Sequence, residues 1–230
     1  MRTLFLFISL TIMSTSIYAQ TEAFPSRVDV TGTGMVKITP DQVLISLRVE
    51  NTGQEAATVK KQNDQVVAAV LRFLKDSGIP DADVQTEYIR LNKNYNYNSK
   101  TYNYQANQAI NVLLKDLSKY ESVMNGLISS GVNRIDNITF GSSQRVSLEA
   151  EARKKAVQHA QQKAREYAGA LGQEIGRAVK ISEQTATVMP AVNMRSFAVA
   201  DAAESEPTIA PGELEIRVNV QVSFLLLADD

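Results

Sequence analysis

Little in this chain can do covalent chemistry. It has no cysteine and a single histidine, His159. A serine or cysteine triad needs an imidazole beside a nucleophile and an acid. His159 instead stands among Gln158, Gln161 and Gln162 on a helical flank, where a solvated side chain is expected. Structural zinc is excluded on ligand count, because there is no thiol and no second histidine to complete a tetrahedral set. Carboxylates remain: Asp81, Asp83 and Glu87 around a turn, and Asp201, Glu204 and Glu206 in a long loop. Two acids held about 5–10 Å apart can hydrolyse a glycosidic bond, yet no spacing here fixes such a distance. Only Asp81, Asp83 and Glu87 form a group that geometry could promote to a hydrolase site. Gly32-Thr33-Gly34 lacks the third glycine and the Lys-Ser/Thr pair of nucleotide loops, so a bulged strand that bends or passes close to another backbone is expected there. The residues therefore assign no catalytic group, no cofactor and no metal.

What the chain does have is tyrosine. Tyr88, Tyr95, Tyr97, Tyr102 and Tyr104 alternate with Asn92, Asn94, Asn96 and Asn103. Two readings stay open. The rings form a sticky edge for a partner chain or a sugar, since tyrosine joins a large apolar face to a polar tip; or they pair across strands and only stiffen a hairpin. The candidate interaction residues are Tyr95, Tyr97, Tyr102 and Tyr104, with Met189, Met194 and Phe197 as apolar anchors in a later arm. Arg153-Lys154-Lys155 is balanced by nearby acids and reads as a solvated helix face, not a phosphate track.

These side chains must be positioned by regular elements. Val43, Ile45, Leu47 and Val49 alternate with polar neighbours, broken only by Leu44, which predicts a half-buried strand. Thr52 to Glu55 has the form of a capping box. The helix it opens would carry Ala56, Val59, Val66, Val70 and Phe73 on one stripe and end at Gly78 and Pro80. Val84 to Tyr97 and Tyr102 to Leu114 read as a hairpin turned by Asn98-Ser99-Lys100-Thr101. Leu117 to Ser130 reads as a helix, and Ile135 to Phe140 as a strand. Strand, helix, strand, strand, helix, strand is the split βαβ order of ferredoxin-like domains. A long helix, Ser147 to Leu171, then shows Leu148, Ala152, Ala156, Ala160, Ala164, Ala168 and Leu171 on one stripe, with Gly172 as a left-handed stop. Val179 to Glu183 and Glu213 to Leu227 read as strands, separated by an aperiodic arm at Thr187–Gly212.

The expected fold class is α+β, a ferredoxin-like βαββαβ module plus a discontinuous second α/β layer with one long helix. The domain reading places the central module at 41–143. The second comprises 27–40 with 144–230, including the flexible arm 187–212.

Residues 1–19 have the form of a secretion signal, with Arg2, an apolar stretch from Leu4 to Met13 and a cleavage site after Ala19, leaving 20–230 as the mature chain. The formal charge is −1, and it falls by one unit when Arg2 leaves, so no basic excess points to nucleic acid. No later segment reaches the ~18 apolar residues of a membrane helix. Cysteine-free export means that apolar packing, not disulfides, carries stability.

Several pieces resemble the SIMPL-domain family: Val28-Asp29-Val30-Thr31-Gly32-Thr33-Gly34 with Pro40-Asp41, then Gly78-Ile79 with Val84-Gln85-Thr86. Others are Tyr104-Gln105-Ala106-Asn107, Ile135-Asp136-Asn137-Ile138-Thr139-Phe140 and Pro211-Gly212-Glu213. The strongest likeness is the helix from Glu149-Ala150 to Gly172, and the resemblance runs from Val28 to Leu227. It implies an exported bacterial protein of unassigned activity, periplasmic or associated with the cell surface. It also implies a link to oxidative-stress tolerance and, in some members, ring-like oligomers. The expected partners are therefore copies of the same chain, with an envelope protein or glycan as the alternative, and no nucleic acid.

Overall fold

The computed structural model describes residues 26–98, 100–190 and 211–227. The expected leader, Met194, Phe197, Asp201, Glu204 and Glu206 lie outside the described residues. Among the described residues, eight strands and three α-helices follow in order: β1 (Arg27–Ile38), β2 (Gln42–Gly53), α1 (Ala56–Asp76), β3 (Val84–Thr86), β4 (Arg90–Asn96), β5 (Thr101–Leu114), α2 (Tyr120–Ser129), β6 (Arg134–Gly141), α3 (Arg145–Ala170), β7 (Glu174–Pro190) and β8 (Leu214–Leu227). The architecture is α+β with two separate sheets and one long helix.

The first sheet runs β3-β5-β2-β6, with β4 continuing alongside β5, and every pairing is antiparallel. This is the order expected of a split βαβ unit. Alternation explains its core. Val43, Ile45, Leu47 and Val49 of β2 and Ile110, Val112 and Leu114 of β5 turn to one face, where they pack against Val67, Val70 and Leu74 of α1 and Val123 and Leu127 of α2. Leu44, on the opposite face, stays exposed. The phenol of Tyr120 joins this core, and burial, with Glu121 adding to it, pushes its pKa up.

Two details of α1 differ from expectation. Thr52 belongs to β2, paired with Gln105, because β5 keeps pairing with β2 as far as Gly53. The cap therefore falls on Glu55, whose carboxylate accepts from Thr58 Oγ1 at 2.7 Å, and the capping box does not form. The buried stripe is Val59, Asn63, Val67, Val70 and Leu74, with Val66 and Phe73 at its margin. Asn63 turns inward because its amide donates to Val49 O at 2.9 Å and to Asn51 Oδ1 at 3.0 Å, tying α1 to the end of β2.

The second sheet runs β1-β8-β7. Ile216, Val218, Val220, Val222 and Phe224 of β8 face α3, which presents Leu148, Ala152, Ala156, Ala160 and Ala164. Methyl groups alone let the helix lie almost on the strands. At Gly32 an added Cβ would stand 2.0 Å from Ala156 O, and at Gly34 it would stand 1.9 Å from Ala152 O. These glycines mark close backbone approach, and the expected bulge is absent, since β1 pairs with β8 in unbroken register from Arg27 to Ile38. The acid-first pairs are present: Glu149 with Arg153 at 3.5 Å and Glu151 with Lys155 at 2.8 Å. Gly172 turns at φ 65° as the stop. Leu171, expected on the buried stripe, is 70% exposed, because the helix ends at Ala170 and Leu171 caps it ahead of the turn at Gly172.

The largest difference is β7. Expected at Val179–Glu183, it spans 17 residues, Glu174–Pro190. Thr187 to Pro190, placed in the arm by their lack of periodicity, pair with Arg217 to Leu214 of β8.

Candidate functional site

The β4–β5 hairpin is built by register. Tyr95 stands opposite Tyr102, Lys93 opposite Tyr104 and Asn94 opposite Asn103. Strand alternation therefore puts Lys93, Tyr95, Tyr102 and Tyr104 on one face and Asn92, Asn94, Asn103 and Gln105 on the other. The turn is set by Lys100 at φ 52° and by the Asn98 amide, which donates to Asn96 Oδ1 at 2.9 Å. The Tyr95 ring lies 5.0 Å from Tyr97, edge to face at 87°, and 5.0 Å from Tyr102 at 57°. The Lys93 ammonium sits 4.1 Å over Tyr102. Tyr95, Tyr97 and Tyr102 are 41%, 84% and 53% exposed. A cavity of about 530 Å³ opens beside the hairpin, with Thr52, Asn94, Asn103, Tyr104 and Gln105 in its wall. The four tyrosines chosen from the sequence are thus brought together.

Met189 lies elsewhere. It is exposed and borders an apolar cavity of about 960 Å³ between the two sheets, with Leu44, Leu113, Val188 and Leu214.

Of the candidate acids, Asp81, Asp83 and Glu87 lie among the described residues, and they share no cavity. Asp81 and Asp83 occupy a single 3-10 turn. Asp83 accepts from Lys115 Nζ at 2.7 Å, and Glu87 lies 3.8 Å from Arg90. The cavity that holds Asp81 has Arg72 and Lys75 in its wall and no second carboxylate. Among the described residues, no three His, Cys, Asp or Glu side chains are grouped to hold a metal ion.

His159 is exposed, as expected, and is hydrogen-bonded as well. Its Nδ1 lies 3.0 Å from the Thr33 amide and 3.1 Å from the Thr33 carbonyl, and Lys163 Nζ donates to Thr31 O at 3.0 Å. The imidazole is exposed, yet it is spent on the outer edge of β1. The other edge of that sheet, β7, pairs only with β8 among the described residues. From Arg177 to Gln184 its residues are exposed on both faces, including Val179 at 42% and Ile181 at 60%. Sequence reading found the Val179–Glu183 part of this edge and missed its extension to Glu174 and Pro190, because a strand bare on both faces carries no alternation.

Several carboxylates hold local structure. The Ser223 hydroxyl, and then Arg27, keep Asp29 below the usual carboxylate range. The hydroxyl and amide of Ser143 do the same for Asp41, and those of Ser118 for Asp116. No helix among the described residues is long and apolar enough to cross a membrane.

Two helix-backed sheets, an exposed aromatic hairpin and an edge strand that pairs on one side among the described residues define an α+β protein whose conspicuous features are surfaces. The chain belongs to the SIMPL family, described as a protein of unknown function (DUF541), whose model matches residues 28–224. It is 30% identical over 211 residues to the 26 kDa periplasmic immunogenic protein of Brucella melitensis, covering 87% of this chain and 84% of that one. It is 28% identical over 200 residues to the uncharacterized protein YggE of Escherichia coli, covering 85% and 81%. A human relative, interleukin-1 receptor-associated kinase 1-binding protein 1, is 26% identical over 169 residues, covering 72% of this chain and 62% of its own length.

Proposed function

We propose that this is an exported, non-catalytic protein of the periplasm or cell surface that assembles with copies of itself through its open sheet edge and supports envelope or oxidative-stress tolerance. The observation that carries the assembly is β7: 17 residues long, paired on one side, and bare at Val179 and Ile181. An edge of unpaired amides and carbonyls is a template for another strand, and stable monomers blunt such edges. Here one edge is capped by His159 and Lys163, while β7, although its register shifts at three places, pairs on one side only among the described residues. The exposed Met189 lies at the far end of the same strand and extends the contact. The leader-like residues 1–19 and the periplasmic name of the Brucella relative support the compartment.

The test is Ile181→Lys together with Val179→Lys. Both side chains are exposed, so the fold should persist while strand addition is blocked by charge. Native mass should drop to one chain; an unchanged mass would remove β7 from the interface.

A second reading is favoured by the cavity of about 530 Å³ beside the hairpin, whose wall includes Tyr95, Tyr97 and Tyr104 as well as the asparagines: the tyrosine-rich hairpin holds a glycan, another ligand or a client protein. Replacing Tyr95, Tyr97, Tyr102 and Tyr104 with serine should then abolish binding without unfolding, and a ligand screen against the intact protein that finds nothing counts against this reading.

A further inference from the structure

The chain has no cysteine and no tryptophan. Its tyrosines are therefore its side chains suited to giving up one electron and one proton and lasting as radicals. Five of its eight tyrosines fall between Tyr88 and Tyr104. Within that group Tyr95 and Tyr102 face one another across two strands, both exposed, with ring centres 5.0 Å apart.

We infer that Tyr95 and Tyr102 form an oxidative cross-link site, joined as a dityrosine when a one-electron oxidant driven by peroxide reaches the hairpin. Each phenol loses one electron and one proton to become a phenoxyl radical. The two radicals couple through ring carbons ortho to the oxygens, forming one carbon–carbon bond. Each ring then moves its ortho hydrogen to its phenolic oxygen and regains aromaticity. The two electrons and two protons released reduce one hydrogen peroxide to two waters. No atom of the chain is lost except two hydrogens.

Geometry selects the pair. Tyr95 is equidistant from Tyr97 and Tyr102, but Tyr97 meets it edge to face at 87°, which aims a ring edge at a ring centre. Toward Tyr102 the rings are tilted at 57°, away from that edge-to-face arrangement, and they stand on neighbouring strands rather than along one. Register holds the partners in place, since they lie directly opposite in a paired ladder. Tyr120, buried in the core, is out of reach of an oxidant in solution. The bond would staple β4 to β5 covalently in a chain that has no disulfide to do so. This site stands apart from the assembly reading, and neither depends on the other.

The test uses the folded mature chain, residues 20–230, treated briefly with hydrogen peroxide and a haem peroxidase, then digested with trypsin. Cleavage after Lys93, Lys100 and Lys115 separates the peptide bearing Tyr95 and Tyr97 from the one bearing Tyr102 and Tyr104. The expected product is these two peptides joined, lighter than their sum by two hydrogens and showing dityrosine emission. Tyr95→Phe and Tyr102→Phe should each cut its yield by about tenfold or more, because a held pair reacts far faster than free partners. Tyr97→Phe and Tyr104→Phe should leave it. A mixture of isotope-labelled and unlabelled protein should give no hybrid pair. Hybrid pairs, a yield unaffected by Tyr102→Phe, or equal yields from folded and urea-unfolded chain would each overturn the assignment.

Discussion

The amide of Thr33 in β1 and Nδ1 of His159 in α3 lie 3.0 Å apart, so the only histidine of the chain closes the rim of a sheet. In an antiparallel edge strand every second residue points its amide and carbonyl outward. At Thr33 those groups meet His159, and at Thr31 the carbonyl meets Lys163. Thr33 is further tied across the ladder, where its hydroxyl donates to Asn219 Oδ1 at 2.8 Å. Replacing His159 with alanine should leave the fold intact and raise amide exchange at Thr33 by about tenfold, the worth of one net hydrogen bond. Hydrogen-exchange mass spectrometry checks this, and unchanged exchange would show that the imidazole does not cover the edge.

The glycines of β1 make a second prediction. Gly34→Ala places a methyl group against the backbone of Ala152, which cannot swing aside. Separating α3 from the sheet should cost about 2–4 kcal/mol of stability. Gly169→Ala, in the same helix with nothing within 4 Å of the new carbon, should be neutral or add up to about 1 kcal/mol. Opposite signs in chemical denaturation are expected.

Acid should loosen the junction between β6 and α3. Asp41 Oδ1 accepts from the Ser143 amide at 2.7 Å and Oδ2 from its hydroxyl at 2.5 Å, which holds the carboxyl below its ordinary value of 3.8. A carboxyl depressed in the folded state contributes stability that is complete above its unfolded pKa and lost as pH falls through the folded one. Thermal midpoints of the native chain should therefore drop more steeply below pH 3.8 than those of Asp41→Asn. Parallel curves for the two proteins would assign the acid sensitivity elsewhere.

Much of this was legible in the sequence because burial on one face leaves a period. Val43 to Val49 and Ile216 to Val222 alternate because each strand has one helix-covered side. The alanine stripe of α3 read correctly from Leu148 to Ala168 for the same reason. The tyrosine hairpin was also readable, since strand parity alone groups its rings, although the direct pairing of Tyr95 with Tyr102 depends on the turn at Lys100. What failed was whatever depends on a distant partner. Thr52 looked like a cap until β5 claimed it as strand. His159 is solvated as expected, but its bond gave no sign because Thr33 is 126 positions away. β7 looked like a short strand and an arm, because a strand exposed on both faces imposes no pattern on its side chains.

Sedimentation velocity of residues 20–230 across micromolar concentrations tests the self-assembly account most directly. It predicts a discrete species heavier than one chain, whose share rises with concentration and which the lysine pair at positions 179 and 181 converts to monomer. A single-chain mass at every concentration would contradict it.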